Sequence, residues 1–140
     1  MVSYIVVYIK RRYAMITKIT TDKAPAAIGP YSQAAVYGGL VFTSGQIPIN
    51  PESGNIETFD ITSQTEQVMK NLGEVLRAAG SSYEKTIKTT CFLANISDFA
   101  EFNTVYGKYF TDKPARSCVA VRDLPKGALV EVEVIAEILK

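Results

Sequence analysis

The chain has no histidine among its 140 residues. That absence removes the Ser-His-Asp and Cys-His constellations, the common imidazole metal sites, and the side chain that most often moves protons at neutral pH. Chemistry here falls to Arg, Glu, Asp, Tyr, Cys, Ser, Lys, backbone groups or water. Cysteine is scarce: Cys91 and Cys118 lie in the apolar strings TTCFLA and ARSCVA, without a CxxC spacing. Both read as reduced thiols of an intracellular, cytoplasmic protein, and no structural zinc site can be assembled from them. The chain also lacks any sizeable excess of acidic or basic residues. Lys plus Arg number 15 against 14 Asp plus Glu, a net +1, so neither nucleic acid nor an anionic membrane is expected as a partner. The one basic cluster, Lys10, Arg11 and Arg12, reads as a solvated run. No apolar run approaches the ~20 residues of a membrane helix.

What is present fits one domain with a real core, without repeats or linkers. Residues 1–14 differ from the rest: an apolar run over 2–9 lacks the cationic start of a signal peptide and has its basic residues on the wrong side. We read them as an extension upstream of Met15, dispensable for folding and assembly, with residues 15–140 as the domain.

Short strands are predicted over 16–20, 33–37 and 40–43, the last two joined by the hairpin pair Gly38-Gly39. After a polar loop over 48–55, Asp60 or Thr62 caps a helix to Ala79, with Val68, Leu72, Val75, Leu76 and Ala79 on one face and Gly80 as its stop. A strand over 86–94 leads to a second helix capped by Ser97 or Asp98, carrying Phe99, Phe102, Tyr106 and Phe110 at spacings of three and four. Strands over 116–121 and 129–138 close the chain. In the last, Val130, Val132, Val134, Ala136 and Ile138 alternate with Glu131, Glu133, Ile135 and Glu137. The order predicts an α+β fold, a mixed sheet with two helices on one face. Its other face must be solvated or buried against other copies, and an apolar content of 47% favours assembly.

The string PARSCV, residues 114–119, concentrates the chemistry. In an extended run Arg116 and Cys118 share a face about 6.6 Å apart. Arginine is the side chain best suited to gripping a carboxylate, through two parallel hydrogen bonds and a permanent charge. The residues alone leave open that Arg116 pairs with an Asp or Glu of its own chain.

Three strings, APAAIGPYSQA (24–34), TSGQIP (43–48) and PARSCVAV (114–121), together with RAAG, KTTCFLANISDF and LPKGALVEVEVIA, resemble the Rid family, also called YjgF, and within it the RidA branch of enamine and imine deaminases. The likeness runs from about Met15 to the C-terminus; the segment between Tyr109 and Pro114 is shorter than in some relatives. It implies a chorismate-mutase-like fold, a homotrimer with a central barrel, and sites at the clefts between subunits. The implied reaction is hydrolysis of reactive 2-enamino or 2-imino acids, such as 2-iminobutanoate and 2-iminopropanoate, to 2-oxo acids and ammonia. No cofactor or metal is implied.

By this resemblance Arg116 grips the substrate carboxylate, Glu131 holds the attacking water, and Ser44 helps orient it, while Gly45 allows close backbone approach. Tyr31, Asn103 and Cys118 match further cleft residues, Cys118 without a nucleophilic role. Read without it, Glu131 is a solvated strand residue, Ser44 and Gly45 ordinary turn residues, Cys118 a small buried hydrophobe, Tyr31 a loop anchor and Asn103 an exposed helical residue. Rival functions are a chaperone-like holdase or ligand-sensing regulator, for which the 2–9 run would supply an apolar patch, and an endoribonuclease or translation inhibitor, which would need a basic groove.

Overall fold

The computed structural model describes residues 15–138, so the expected extension over 1–14 lies outside the described residues. The chain opens with β1 (Thr17–Ile19), β2 (Ala34–Tyr37) and β3 (Leu40–Thr43). Gly38 and Gly39 join β2 to β3 at φ +60° and +83°, a left-handed pair that side chains rarely adopt, so the hairpin forms where expected.

Helix α1 (Ile61–Ala78) begins at Asp60, whose carboxylate accepts the Ser63 N–H at 2.8 Å. It ends in a Schellman arrangement: Gly80, at φ +80°, donates to the Arg77 carbonyl, and the Ser81 N–H reaches Leu76 at 2.8 Å. Val68, Leu72, Val75 and Leu76 are fully buried, as the spacing predicts, and Met69 joins them. The buried polar residues of this helix escaped the pattern. Gln64 accepts the Leu129 N–H at 2.8 Å, and the Asn71 amide donates to the Ile47 and Ile49 carbonyls, tying the long loop to the helix. Gly73 is there because the Tyr83 ring crosses it: a Cβ would lie 2.3 Å from the Tyr83 hydroxyl, which donates to the Met69 carbonyl. Gly73→Ala is expected to lower the unfolding free energy by about 1 kcal/mol, since about 1–3 kcal/mol of overpacking is offset by about 1 kcal/mol of helix propensity. A denaturant midpoint unchanged or raised would show that Tyr83 moves aside at no cost.

Strand β4 (Thr86–Leu93), helix α2 (Phe99–Tyr109) and β5 (Ala115–Ala120) form a crossover, so β4 and β5 run parallel while every other pairing is antiparallel. The expected cap at Ser97 or Asp98 is corrected. A 3₁₀ turn, Ile96–Asp98, leads into α2, and Asp98 already has helical backbone angles, so its carboxylate caps nothing. With β6 (Val130–Glu137), the sheet order is β1-β2-β3-β6-β4-β5. Both helices pack on one face, where Val130, Val132, Val134 and Ala136 are buried beneath them. Glu131, Glu133, Ile135 and Glu137 line the opposite face, which no helix among the described residues covers and where Phe42 is 41% and Val119 47% exposed. Among the described residues no helix is long and apolar enough to cross a membrane.

Candidate active site

Two groups of the expected residues emerge, on opposite faces of the sheet. The first centres on Arg116 of β5, one of the two edge strands among the described residues. Register sets Arg116 beside Thr89 and Cys118 beside Cys91, both of them buried, so these two side chains share the helix side of the sheet. There α2 meets Arg116 with four residues one or two turns apart. The guanidinium donates from Nη1 to Asn103 Oδ1 at 2.7 Å, and its carbon lies 4.8 Å from the centre of the Tyr106 ring, 5.4 Å from Phe99 and 6.0 Å from Phe102. Among the described residues the ion pairs are Arg77–Glu74, Lys108–Glu66 and Arg122–Asp123, and no carboxylate comes within 4.0 Å of Arg116. Internal pairing of this arginine is thereby corrected. The result is a half-buried cation whose described neighbours are aromatic and neutral polar groups.

Asn103 is not an exposed helical residue; it is half-buried and turned to the arginine. Cys118 is half-buried as well. Burial pushes its thiol up against the opposing influence of Arg116, and burial pushes Cys91 up to about 12, so neither is poised as a thiolate. The aromatic cradle itself went unrecognised in the sequence. Its signal was present, since Phe99, Phe102, Asn103 and Tyr106 fall on one helical face, but the rings read simply as core.

The second group forms where β3 leaves the ladder. The Thr43 hydroxyl accepts the Val134 N–H at 2.9 Å, and pairing resumes only at Gln46, which exchanges hydrogen bonds with Val132 at 2.9 and 3.1 Å. The displaced Ser44-Gly45 turn lies against Glu131. A Cβ on Gly45 would stand 1.9 Å from Glu131 Oε1, so this glycine exists for close approach to a carboxylate. The Ser44 hydroxyl donates to the Ser32 carbonyl at 2.6 Å, which leaves its oxygen free only to accept. A cleft of about 200 Å³ opens beside the turn, lined by Tyr31, Gly45, Gln46, Pro125 and Lys126 among others. Tyr31 is 52% exposed at its lip and is not anchored into the core. Its loop is held instead by Gln33, whose polar side chain gives no periodic signal in the sequence. The Gln33 side chain accepts the Thr21 N–H at 2.6 Å and donates to the Thr21 and Pro25 carbonyls at 3.0 and 2.8 Å.

Glu131 is half-buried, and its carboxyl is pushed above the usual carboxylate range, first by burial and then by Glu133. A raised folded-state value means that ionised Glu131 costs stability above the ordinary range, a cost absent at lower pH. Glu131→Gln is therefore expected to raise the melting temperature at neutral pH, with the difference closing near pH ~4. A variant that melts lower than wild type at neutral pH would reveal a stabilising partner for the carboxylate.

Within one chain the two groups do not converge. Arg116, Asn103 and Cys118 stand on the helix side at one sheet edge; Glu131 projects from the uncovered face, alongside Phe92 and Val119 in the ladder. Among the described residues no three His, Cys, Asp or Glu side chains gather as a metal site.

Fold and site together define a small α+β domain in which, among the described residues, a six-stranded sheet carries two helices on one face and an arginine without an ion-pair partner on the edge strand β5. A family model described as Endoribonuclease L-PSP matches residues 21–138. A human protein named 2-iminobutanoate/2-iminopropanoate deaminase is 44% identical over 119 residues, covering 84% of this chain and 87% of its own. AldR of Lactococcus lactis, named as a candidate regulator, is 54% identical over 121 residues, 86% of this chain and 96% of its own. Among solved structures, Escherichia coli TdcF with bound serine superposes with a TM-score of 0.83 at 42% identity, covering 88% of this chain and 99% of TdcF. The chain belongs to the L-PSP family, the Rid or YjgF family that its motifs resemble.

Proposed function

We propose that the protein hydrolyses reactive 2-imino and 2-enamino acids to 2-oxo acids and ammonia, at a site completed between two copies of the chain. One observation carries this reading: Arg116 is a half-buried guanidinium that pairs with no carboxylate among the described residues. An unmatched cation in that setting is stabilised by an incoming anion, and a planar fork suits a carboxylate. The human relative's name supplies the substrate class, and serine bound to TdcF is a carboxylate ligand of similar size.

In this proposal one copy contributes Arg116, Asn103 and Cys118, and its neighbour contributes Tyr31, Ser44, Gly45 and Glu131. Exposed apolar residues on the uncovered face, Phe42 and Val119, favour burial of that face in a homotrimer with a central barrel. Arg116 pins the substrate carboxylate. A water donates one proton to Glu131 and the other to the Ser44 oxygen, which can accept because its own proton is spent on Ser32. The water's lone pair is then left to face the imine carbon. Attack on the nitrogen-protonated imine forms the new C–O bond and moves the C=N electrons onto nitrogen; Glu131 takes one water proton and returns it to the resulting amine, then takes the carbinolamine hydroxyl proton as the carbonyl forms and the C–N bond breaks to release ammonia. Because imines hydrolyse unaided, a gain of about 10³-fold, roughly 4 kcal/mol, suffices, and positioning with electrostatics can supply it. A histidine base is unnecessary.

Generating 2-iminobutanoate from threonine with a dehydratase, and timing 2-oxobutanoate in the protein's presence, tests the reading. Formation faster than the spontaneous rate is expected; an unchanged rate contradicts it. AldR's name favours a second reading, a ligand-sensing regulator using the same arginine. That reading predicts carboxylate binding without acceleration. An endoribonuclease has less to support it: the groove with Lys23, Lys70 and Arg77 also holds Glu74, which pairs with Arg77 at 2.9 Å.

A further inference from the structure

We infer that Asn103 is a positioning residue that acts through Arg116, holding one edge of its fork with a neutral acceptor so that the guanidinium is fixed yet still uncompensated when the ligand arrives. The inference rests on Arg116 gripping a carboxylate, and goes beyond it by assigning what keeps that residue available.

A guanidinium has five N–H donors, and Asn103 Oδ1 takes one of them on Nη1 at 2.7 Å. The aromatic rings restrict the rest of its freedom. Tyr106 lies 4.8 Å below the guanidinium carbon and is 7% exposed, and its hydroxyl is fixed by Thr89 Oγ1 at 2.7 Å. Thr89 is itself the fully buried ladder partner of Arg116, so strand register, ring and fork are set by one pair of adjacent strands. Phe102, fully buried, closes a second side at 6.0 Å. None of these groups carries negative charge. Rings and an amide attract and orient a cation without competing for it as a carboxylate would. An aspartate has nearly the shape of the asparagine present, and it would hold the fork equally well while neutralising it. The neutral amide is therefore the feature that distinguishes a waiting site from an internal ion pair.

Three variants separate this role from its alternatives, with 2-oxobutanoate, the proposed product, as the probe in calorimetric titrations and steady-state kinetics alongside. Asn103→Asp is expected to weaken 2-oxobutanoate binding by about tenfold or more and to raise KM for the imine, with kcat within about twofold and the melting temperature unchanged or raised. Asn103→Ala, which frees the fork without neutralising it, is expected to weaken binding by only about threefold. A purely structural asparagine would show neither the KM-against-kcat split nor this ordering. The inference is overturned if Asn103→Asp binds as wild type does, or if Asn103→Ala loses as much as Asn103→Asp, which would place the amide on the ligand itself. Arg116→Ala is the third variant. If it alone binds 2-oxobutanoate normally, the carboxylate-gripping reading fails; if it abolishes binding while the asparagine variants behave alike, only the positioning role fails.

Discussion

Arg116→Ala is expected to lower kcat/KM for 2-iminobutanoate by on the order of 10²- to 10³-fold, down to the spontaneous rate, with thermal unfolding unchanged or slightly raised. The activity loss follows from removing one partner of a desolvated charge pair, about 2–5 kcal/mol when the other partner is left without its match. The unusual part is stability. Most half-buried arginines are tied to a carboxylate whose loss orphans a charge, but this one faces Asn103 and aromatic rings. Its truncation strands no anion and relieves a cation of its desolvation cost. Arg116→Lys is not expected to restore activity, because an ammonium cannot reproduce two parallel donors. Steady-state kinetics with a melting curve on the same preparation check both halves. Loss of folding together with activity would assign Arg116 a structural role.

Gly45→Ala is expected to lower kcat by about 10- to 100-fold with KM within a few-fold. The added methyl carbon would stand 1.9 Å from Oε1, 2.7 Å from Cδ and 2.9 Å from Cγ of Glu131, so the whole carboxylate must swing away. Displacing a water-holding group while leaving the carboxylate grip intact should fall on the chemical step, and misplacement by about 1 Å can cost ~10²-fold. Backbone strain does not enter, because Gly45 is not among the residues at positive φ. An alanine variant with wild-type kcat would mean that Glu131 has no part in water attack. Glu131→Gln, measured beside it, separates loss of the charge from loss of the position.

Most of the fold was legible because each element announces itself locally. Asp60, the apolar stripe of α1 and Gly80 bound one helix; Gly38-Gly39 marks one hairpin; strict alternation in β6 tells the buried face from the open one. What escaped was polar and non-local. Gln33, Gln64 and Asn71 are buried because they terminate backbone groups of loops distant in sequence, and periodicity counts only apolar positions. The entry to α2 escaped because a 3₁₀ turn replaces the side-chain cap. At the site, spacing alone correctly placed Arg116 and Cys118 on one face, yet it could not say which face, or that Glu131 projects from the other. That separation depends on the strand order β6-β4-β5 and on register, neither of which is written in any single string.

The same separation makes the central claim directly measurable. Arg116→Ala and Gly45→Ala damage opposite halves of the proposed site, so the two impaired variants can be unfolded together, refolded as a mixture and assayed for 2-iminobutanoate hydrolysis. If sites form between copies, an equal mixture should regain about one quarter of wild-type activity, since each half has an even chance of being intact. Mixed assemblies seen by native mass spectrometry but showing no more activity than the separate variants would contradict the account.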